Sequence, residues 1–320
     1  MKTSLTEIGL GLAALGRPEY INIRAEHDID KSEAAFKSTT FSVLHEAYRL
    51  GVRYFDTAPS YGKGEAFLQE WNTLTNHEDV ILGTKWGYTY VANWQLGYPG
   101  KHEIKEHSLG KLLEQWEVSK AMLPRLKYYQ VHSATFDSGI LENHGVLETL
   151  AQIKKETGLY IGITTSGENQ KEVISEALKI ESHGNALFDS FQVSYNVFEQ
   201  STFEILRRVL ESGKTVIIKE ALANGRVFES ENFPTYKAAY SLLKGLAVKY
   251  QVGVDAIALR FVMDCLQPDY VLSGASNVTQ LKENLKANTF KLDINDVKAL
   301  KTLNVASSFY WKERSDLDWN

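Results

Sequence analysis

The chain has 320 residues, 43% of them hydrophobic, which is enough to bury a large core. Its 35 basic and 40 acidic residues give a net charge of -5 without any block of like charge, which argues against nucleic acid or a membrane surface as a partner. The single cysteine, Cys265, excludes an intramolecular disulfide and is typical of a reducing compartment. We therefore expect a cytoplasmic protein with a small-molecule partner and, in the absence of any metal-ligand spacing, no metal site.

Short β-branched or aromatic runs alternate with segments of helical periodicity along the whole chain. The predicted strands span residues 8–12, 52–55, 80–84, 128–131, 159–163, 190–193, 216–218 and 270–272. The predicted helices include residues 38–50, 108–122, 145–155, 170–182, 203–210, 236–250, 255–265 and 279–286. Because strands and helices alternate without an interrupting linker, the sequence predicts an α/β protein with a single (β/α)8 TIM barrel over residues 1–320, in preference to two doubly wound halves.

Three connections are longer than a simple turn requires: residues 16–37, residues 86–107 and an irregular C-terminal tail over residues 305–320. Long connections on a barrel usually belong to the face that binds ligands. They contain aromatic residues that could line a pocket: Tyr20, Trp86, Tyr88, Tyr90, Trp94, Phe309, Tyr310, Trp311 and Trp319. Of these we expect Tyr20, Trp86, Tyr310 and Trp311 to contact the substrate.

Reactive side chains follow three consecutive predicted strands at the point where each strand ends. Asp56 ends the second strand and Tyr61 lies five residues later in a turn. Lys85 ends the third strand and His132 the fourth. Since the C-terminal ends of barrel strands meet at one face, these side chains are expected to share a site there.

The chemistry of these side chains is mutually consistent. Tyrosine titrates near ~10 in water and is a poor acid at neutral pH unless a neighbouring cation stabilises its phenolate. Lys85 is the candidate cation, and a carboxylate such as Asp56 would keep that lysine charged in a buried site. An imidazole such as His132 could either orient a substrate carbonyl or relay a proton.

The motifs Asp56-Thr57-Ala58 through Tyr61-Gly62, Gly83-Thr84-Lys85 and Val131-His132 resemble those of the aldo-keto reductase superfamily. The likeness continues through residues 160–163, 191–196, 222–225, 273–277 and 280–285, so it spans nearly the whole chain. It implies hydride transfer between NADP(H) and an aldehyde, a ketone or the corresponding alcohol. It also implies that Tyr61 is the general acid, that Lys85 lowers its pKa and that His132 positions the carbonyl.

The resemblance further implies a set of cofactor contacts: Thr164, Thr165, Gln192, Leu222, Arg226, Gly274, Ser276, Gln280, Glu283 and Asn284. Thr164, Thr165 and Gln192 would hold the carboxamide of the nicotinamide. The segment that begins at Gly274 would hold the adenosine end, because unpaired amides at a helix N-terminus attract phosphate. Arg226 is the nearest cation that could pair with a phosphate group.

The chain departs from the family pattern at three places. Gln280 stands where many members carry an arginine, so we expect NADP(H) but keep NAD(H) as an alternative. Thr164 and Thr165 replace a Ser-Asn pair. Lys219-Glu220-Ala221 replaces Tyr-Ser-Pro, and the two charged residues either form a local ion pair or contact substrate. If Lys219 lies in the pocket, a carbonyl or polyol substrate with hydroxyl groups is favoured.

Two other functions are compatible with the sequence. The resemblance extends to potassium-channel β subunits, so the protein could be a regulatory module that senses redox state through bound NADP(H) with little turnover. A barrel lyase or isomerase could instead use Lys85 as a Schiff base, which would require a neutral, unpaired amine. The sequence leaves the oligomeric state open.

Overall fold

The computed structural model describes residues 6–21 and 30–319. Its centre is a closed barrel of eight parallel strands, each paired with its neighbours in chain order and the last paired with the first. The barrel strands are Glu7–Gly11, Tyr54–Asp56, Ile81–Trp86, Leu126–Ala134, Tyr160–Thr165, Ser190–Ser194, Thr215–Lys219 and Tyr270–Ser273. The predicted (β/α)8 barrel is confirmed. The extent of the domain, residues 1–320, stays a prediction.

The helices surround the barrel and cover its outer face. They are Glu33–Arg49, Gly64–Thr75, Leu109–Ser119, His144–Thr157, Gln170–Ala177, Phe203–Glu211, Lys237–Tyr250, Val254–Leu266, Val278–Leu285, Ile294–Lys301 and Ser307–Ser315. The strands are buried on both faces, which explains why they appear in the sequence as short, continuous apolar runs. None of the helices among the described residues is long and apolar enough to span a membrane.

Three regions differ from the sequence prediction. The tail predicted as irregular contains the helix Ser307–Ser315, whose buried side chains Tyr310 and Trp311 hold it against the barrel. The helix predicted over residues 170–182 ends at Ala177, and Glu181–Ser182 pairs with Asn185–Ala186 in a small hairpin. The connection 86–107 contains an antiparallel hairpin, Tyr88–Tyr90 with Glu103–Lys105.

A separate apolar cluster fills the barrel interior below the ligand-binding end. It consists of Tyr54, Tyr128, Ile217, Tyr270 and Leu272. The ring of Tyr54 lies 4.4 Å from that of Tyr270 and 5.5 Å from that of Tyr128, measured between centroids. A Cβ at Gly83 would come within 2.5 Å of the Tyr54 hydroxyl oxygen, so glycine at this strand position leaves room for the Tyr54 side chain.

Candidate active site

A buried ion pair forms the floor of the candidate site. Asp56 and Lys85 end neighbouring strands, and their side chains are almost fully buried. The Lys85 ammonium donates to the Asp56 carboxylate and, at 2.9 Å, to the carbonyl oxygen of Thr57. The carboxylate also accepts hydrogen bonds from the Tyr54 hydroxyl at 3.0 Å and from the Gln192 amide at 2.8 Å. A buried pair with its remaining lone pairs satisfied in this way is held in one geometry.

Tyr61 is brought beside this pair by a tight turn. The amide of Lys63 donates to the carbonyl oxygen of Gly16 at 2.7 Å, which joins the turn to the loop after the first barrel strand. A Cβ at Gly16 would lie 2.1 Å from the Tyr61 carbonyl oxygen, so only glycine permits this approach. The Lys85 ammonium nitrogen lies 4.7 Å from the centroid of the Tyr61 ring. The predicted acid, lysine and tyrosine are therefore neighbours.

The pKa of Tyr61 is shifted in the direction opposite to the sequence expectation. Burial raises this pKa well above 10, and the negative charge of Asp56 raises it further. The guanidinium of Arg17, whose central carbon lies 5.4 Å from the Tyr61 ring centroid, lowers it in part. The Lys85 charge, 4.7 Å from the ring centroid and paired with Asp56, does not outweigh burial in the site without substrate. The phenol therefore retains its proton at neutral pH.

His132 faces Tyr61 from the fourth barrel strand. The two ring centroids are 5.6 Å apart and the rings are perpendicular. The pairing register between the fourth and fifth barrel strands shifts between Val131 and Ala134, and such a bulge re-aims the side chains within it. The Nε2–H of His107 donates to the His132 carbonyl oxygen at 2.9 Å, which fixes the backbone there.

The imidazole of His132 is held neutral. Burial lowers its pKa well below 6.5, and the positive charges of Lys85 and Lys219 lower it further. Nδ1 lies 3.4 Å from the hydroxyl oxygen of Ser60. If Ser60 donates this bond, the ring proton is on Nε2, where it can be given to a substrate oxygen.

A cavity of about 520 Å³ opens above these residues. Asp56, Tyr61 and His132 line it, while Lys85 lies beneath Tyr61 and is fully buried. Seven of the predicted cofactor and substrate residues also line the cavity: Tyr20, Gln192, Lys219, Leu222, Gly274, Gln280 and Asn284. The structure does not place the other eight on its wall: Trp86, Thr164, Thr165, Arg226, Ser276, Glu283, Tyr310 and Trp311.

Arg226, the predicted cofactor cation, does not line the cavity. Its side chain is fully buried, and its guanidinium lies 4.1 Å from the ring centroid of Tyr310. It pairs with Glu313 at 3.2 Å and donates to the carbonyl oxygen of Tyr310 at 3.1 Å. Arg226 and Tyr310 thus attach the C-terminal helix to the barrel. Trp311, on the same helix, packs into the hydrophobic core. Trp86 is buried against His107.

The hydroxyls of the two threonines that were expected to hold a carboxamide make hydrogen bonds within the protein. The hydroxyl of Thr164 accepts a hydrogen bond from the Ser133 amide at 2.7 Å. That of Thr165 donates to Gln170 at 3.4 Å. The next residue, Ser166, lines the cavity, and its hydroxyl oxygen lies 3.2 Å from that of Ser133. The polar residue at this strand end is therefore Ser166, one position beyond the predicted pair.

The charged residues after the seventh strand do not pair with each other. The Glu220 carboxylate accepts two hydrogen bonds from Arg314, at 3.0 and 2.6 Å, and one from the Ser194 hydroxyl at 2.7 Å. Although burial alone would raise it, the charges of Arg314 and Lys219 hold the pKa of Glu220 below its usual range. Lys219 donates to the hydroxyls of Ser166 and Ser194, and burial lowers its pKa to about 8.

The far end of the cavity is built on the N-terminus of the helix Val278–Leu285. Asn277 caps this helix, and its side chain accepts a hydrogen bond from the amide of Gln280 at 2.9 Å. The Gln280 side chain in turn accepts from the amide of Ser276 at 2.9 Å and from its hydroxyl at 3.0 Å. Glu283 is paired with Lys286 at 2.6 Å. Ser276 and Glu283 therefore support this end without lining it.

Sequence reasoning missed several polar residues of the cavity wall: Arg17, Glu103, Lys105, Ser133, Ser166 and Arg314. A sequence signal exists for two of them. Glu103 and Lys105 flank Ile104 in an alternating pattern, which is typical of a half-exposed strand. Arg314 lies in the tail, where no pattern indicated which residues return to the barrel.

Comparison with known proteins finds relatives over most of the chain. The Aldo/keto reductase family model matches residues 7–305. The chain is 26% identical to the Bacillus subtilis (strain 168) protein "Uncharacterized oxidoreductase YqkF", over 93% of the chain and 92% of that protein. It is 25% identical to the L-galactose dehydrogenase of Arabidopsis thaliana, over 78% of the chain and 77% of that protein.

Among solved structures, the holo form of aldo-keto reductase AKR11C1 from Bacillus halodurans has a similar fold. Its TM-score is 0.69 at 21% identity, with 94% of this chain and 92% of that chain covered. The family match over residues 7–305 shows that the chain belongs to the aldo/keto reductase family. It is an NAD(P)H-dependent oxidoreductase.

Proposed function

We propose that the protein transfers a hydride between NAD(P)(H) and an aldehyde or ketone, or the corresponding alcohol, with Tyr61 as the proton donor and acceptor. One observation carries this proposal: a protonated, cavity-lining tyrosine lies against a buried lysine–carboxylate pair and faces a neutral histidine. This arrangement supports acid–base work at a carbonyl oxygen. A cytoplasmic location stays a prediction.

The cavity residues fit a nicotinamide cofactor. The Gln192 side chain donates its amide hydrogen to Asp56, and its carbonyl oxygen is buried without a hydrogen-bond partner. Such an acceptor suits a carboxamide N–H, and the Ser166 hydroxyl lies on the same wall. The helix N-terminus after Gly274 suits a pyrophosphate. When bound, the reduced nicotinamide supplies the hydride.

The protein's own residues would donate and accept the proton. In reduction, the Tyr61 hydroxyl donates its proton to the carbonyl oxygen as negative charge develops there. The nearby Lys85 ammonium stabilises the resulting phenolate, because Asp56 keeps it charged and fixed. Neutral His132 can donate a hydrogen bond to the same oxygen and orient the carbonyl. In oxidation, the phenolate of Tyr61 would accept the proton of the alcohol.

The adenosine end of the cavity favours NAD(H) more than the sequence suggested. Arg226 pairs with Glu313, and Gln280 is neutral. Asp255 lines this end, and a carboxylate suits a free ribose hydroxyl better than a 2′-phosphate. We propose that NADH binds at least as tightly as NADPH. Fluorescence titration of the two reduced cofactors measures this directly, and a tenfold preference for NADPH would contradict it.

The intact set of catalytic side chains favours an enzyme over a regulatory module that only binds cofactor. The Schiff-base alternative loses its support, because Lys85 is paired with Asp56 rather than unpaired. Steady-state oxidation of NADH and NADPH with a panel of aldehydes and ketones tests the proposal. Negligible turnover across the whole panel, with tight cofactor binding, would support the regulatory function instead.

The Tyr61→Phe variant tests the role of the phenol. It should lose on the order of 10²- to 10⁴-fold in kcat, the usual contribution of acid–base catalysis, while binding cofactor normally. Tyr240→Phe is the matched control, since Tyr240 is also buried and does not line the cavity. If Tyr61→Phe reduced carbonyls as fast as Tyr240→Phe, the assignment would be wrong.

A further inference from the structure

The hairpin in the connection between the third and fourth strands directs two charges into the cavity. Its second strand, Glu103–Lys105, pairs antiparallel with Tyr88–Tyr90. Alternate residues of a strand point to the same face, and Glu103 and Lys105 both line the cavity. Ile104 between them is 54% exposed on the opposite face. The hairpin is thus one wall of the site.

The charge of Glu103 is neutralised within this wall. Arg17, which is 2% exposed, pairs with the Glu103 carboxylate at 2.6 Å and donates to the carbonyl oxygen of Ser60 at 3.1 Å. The Arg17 guanidinium also lies 4.5 Å from the ring centroid of Tyr20 and 4.9 Å from that of Trp319. Arg17 and Glu103 together add no net charge to the cavity.

Lys105 has only neutral partners. Its ammonium donates to the carbonyl oxygen of Ser133 at 2.8 Å and to the hydroxyl of Thr135 at 3.4 Å. Within residues 6–21 and 30–319, no carboxylate lies within 4.0 Å of it, and the acid that acts on it through space is the exposed Asp137. Burial lowers the Lys105 pKa, so its charged form lacks compensation in the cavity wall.

This ammonium lies close to the reacting centre. Ser133, whose carbonyl oxygen Lys105 binds, directly follows His132 and has a left-handed φ of 49°. The Tyr88 ring lies 4.8 Å from the His132 ring, and the Lys105 nitrogen lies 5.5 Å from the Tyr88 ring centroid. Lys105 and His132 therefore both lie beside the Tyr88 ring, and His132 is the imidazole that would orient the carbonyl.

The other cavity cations are already engaged elsewhere. Arg314 pairs with Glu220. Lys219 is held by the hydroxyls of Ser166 and Ser194, beside the polar groups that suit a carboxamide. Lys219, like Lys105, has no carboxylate partner among the residues that the structure describes, but it lies beside the groups that suit the cofactor. Lys105 is the cation that the hairpin wall offers to a substrate.

We propose that Lys105 binds an anionic group of the substrate, so that this site prefers aldehydes or ketones that carry a carboxylate or phosphate a few carbon atoms from the carbonyl. An ammonium with a free donor forms a charge-assisted hydrogen bond with such a group. The proposal rests on the proposed function, because it takes His132 and Tyr61 as the site of the carbonyl.

Matched substrate pairs test the proposal. Succinic semialdehyde and butanal differ by a carboxylate, and glyceraldehyde 3-phosphate and glyceraldehyde differ by a phosphate. The wild type should show a higher kcat/KM for at least one anionic member, and the pair that shows the preference identifies the group. Lys105→Met should lower that preference roughly tenfold, mainly through KM, as the loss of one charge-assisted hydrogen bond predicts.

Two further variants separate charge from structure. Lys105→Arg should retain most of the preference, since it keeps the positive charge. Lys101→Met is the matched control in the same connection, because Lys101 is exposed and does not line the cavity, and it should leave the preference unchanged. An equal effect of Lys105→Met on the anionic and neutral members of both pairs would overturn the proposal.

A binding measurement makes the test independent of turnover. Calorimetric titration of the NAD⁺-loaded or NADP⁺-loaded enzyme with butyrate and with butanamide compares an anion with a neutral molecule of the same shape. Butyrate should bind more tightly, and Lys105→Met should remove the difference. If no carbonyl compound is reduced, the proposed function fails while this titration still decides the role of Lys105. Equal binding of butyrate and butanamide to wild type would contradict it.

Discussion

The floor and the wall of the cavity are built in different ways. The floor consists of Asp56, Lys85 and His132, which lie at or near the ends of consecutive barrel strands, with Tyr61 in the turn after one of them. The wall takes its residues from connections that are distant in sequence. Arg17 pairs with Glu103, 86 positions away, and Arg314 pairs with Glu220, 94 positions away. A barrel thus fixes its acid–base groups by strand geometry, while its substrate contacts depend on how separate loops meet.

The first way to test this difference is to remove the lysine of the floor. Lys85→Met should reduce kcat by about 10³-fold, because the Tyr61 phenolate loses its stabilising cation. It should also lower the free energy of unfolding by about 3–5 kcal/mol, since it leaves the Asp56 carboxylate buried without its partner. Urea unfolding and steady-state kinetics measure the two effects.

A double variant provides the control for this loss of stability. Asp56→Asn combined with Lys85→Met removes both charges and should regain much of the unfolding free energy while staying inactive. If the single Lys85→Met variant were as stable and as active as wild type, the buried pair would not support the site.

A smaller effect is expected at the adenosine end of the wall. Gln280→Arg should tighten NADPH binding about tenfold relative to Gln280→Met, because it adds a cation where a 2′-phosphate would lie. NADH binding should differ little between the two variants, which share the loss of the hydrogen bonds from Ser276. Fluorescence titration gives both dissociation constants. Equal changes for NADH and NADPH would show that this residue does not face the 2′ position.

The smallest expected effect is that of pH on reduction. The raised pKa of Tyr61 keeps the phenol protonated, and the lowered pKa of His132 keeps the imidazole neutral, so neither group changes charge between about pH 6 and 9. The kcat for reduction of a neutral aldehyde should therefore be nearly flat between about pH 6 and 7, below the pKa of about 8 to which burial lowers Lys219. A fall in kcat centred near pH 6.5 would show that His132 titrates and that its neutral form is not maintained.

The sequence signals for the residues of the floor are local. Each strand is a short apolar run, and each functional residue lies at a fixed place relative to the end of that run. At the fifth strand the residue on the cavity wall is Ser166, one position beyond the predicted pair, and Thr164 accepts a hydrogen bond from Ser133 at the bulge of the preceding strand. A register shift of this kind leaves no mark in residue types.

The wall and the contacts that support it could not be predicted, because the residues that pair there are distant in sequence. The sequence predicted Arg226 as a cation near a strand end that could bind phosphate. In the structure it pairs with Glu313 and packs against the ring of Tyr310, both more than 80 residues later. The tail that carries them was predicted as irregular because its helix has a polar sequence and only Tyr310 and Trp311 are buried. Tertiary packing decided both outcomes.

The most direct test of the account is a single-turnover measurement of hydride transfer. Enzyme loaded with the reduced cofactor is mixed with a saturating aldehyde, and the loss of nicotinamide fluorescence is followed in wild type, Tyr61→Phe and Tyr240→Phe. If Tyr61 is the proton donor, Tyr61→Phe alone should slow this step by on the order of 10²-fold or more, with cofactor affinity retained. An equal rate in all three proteins would contradict it.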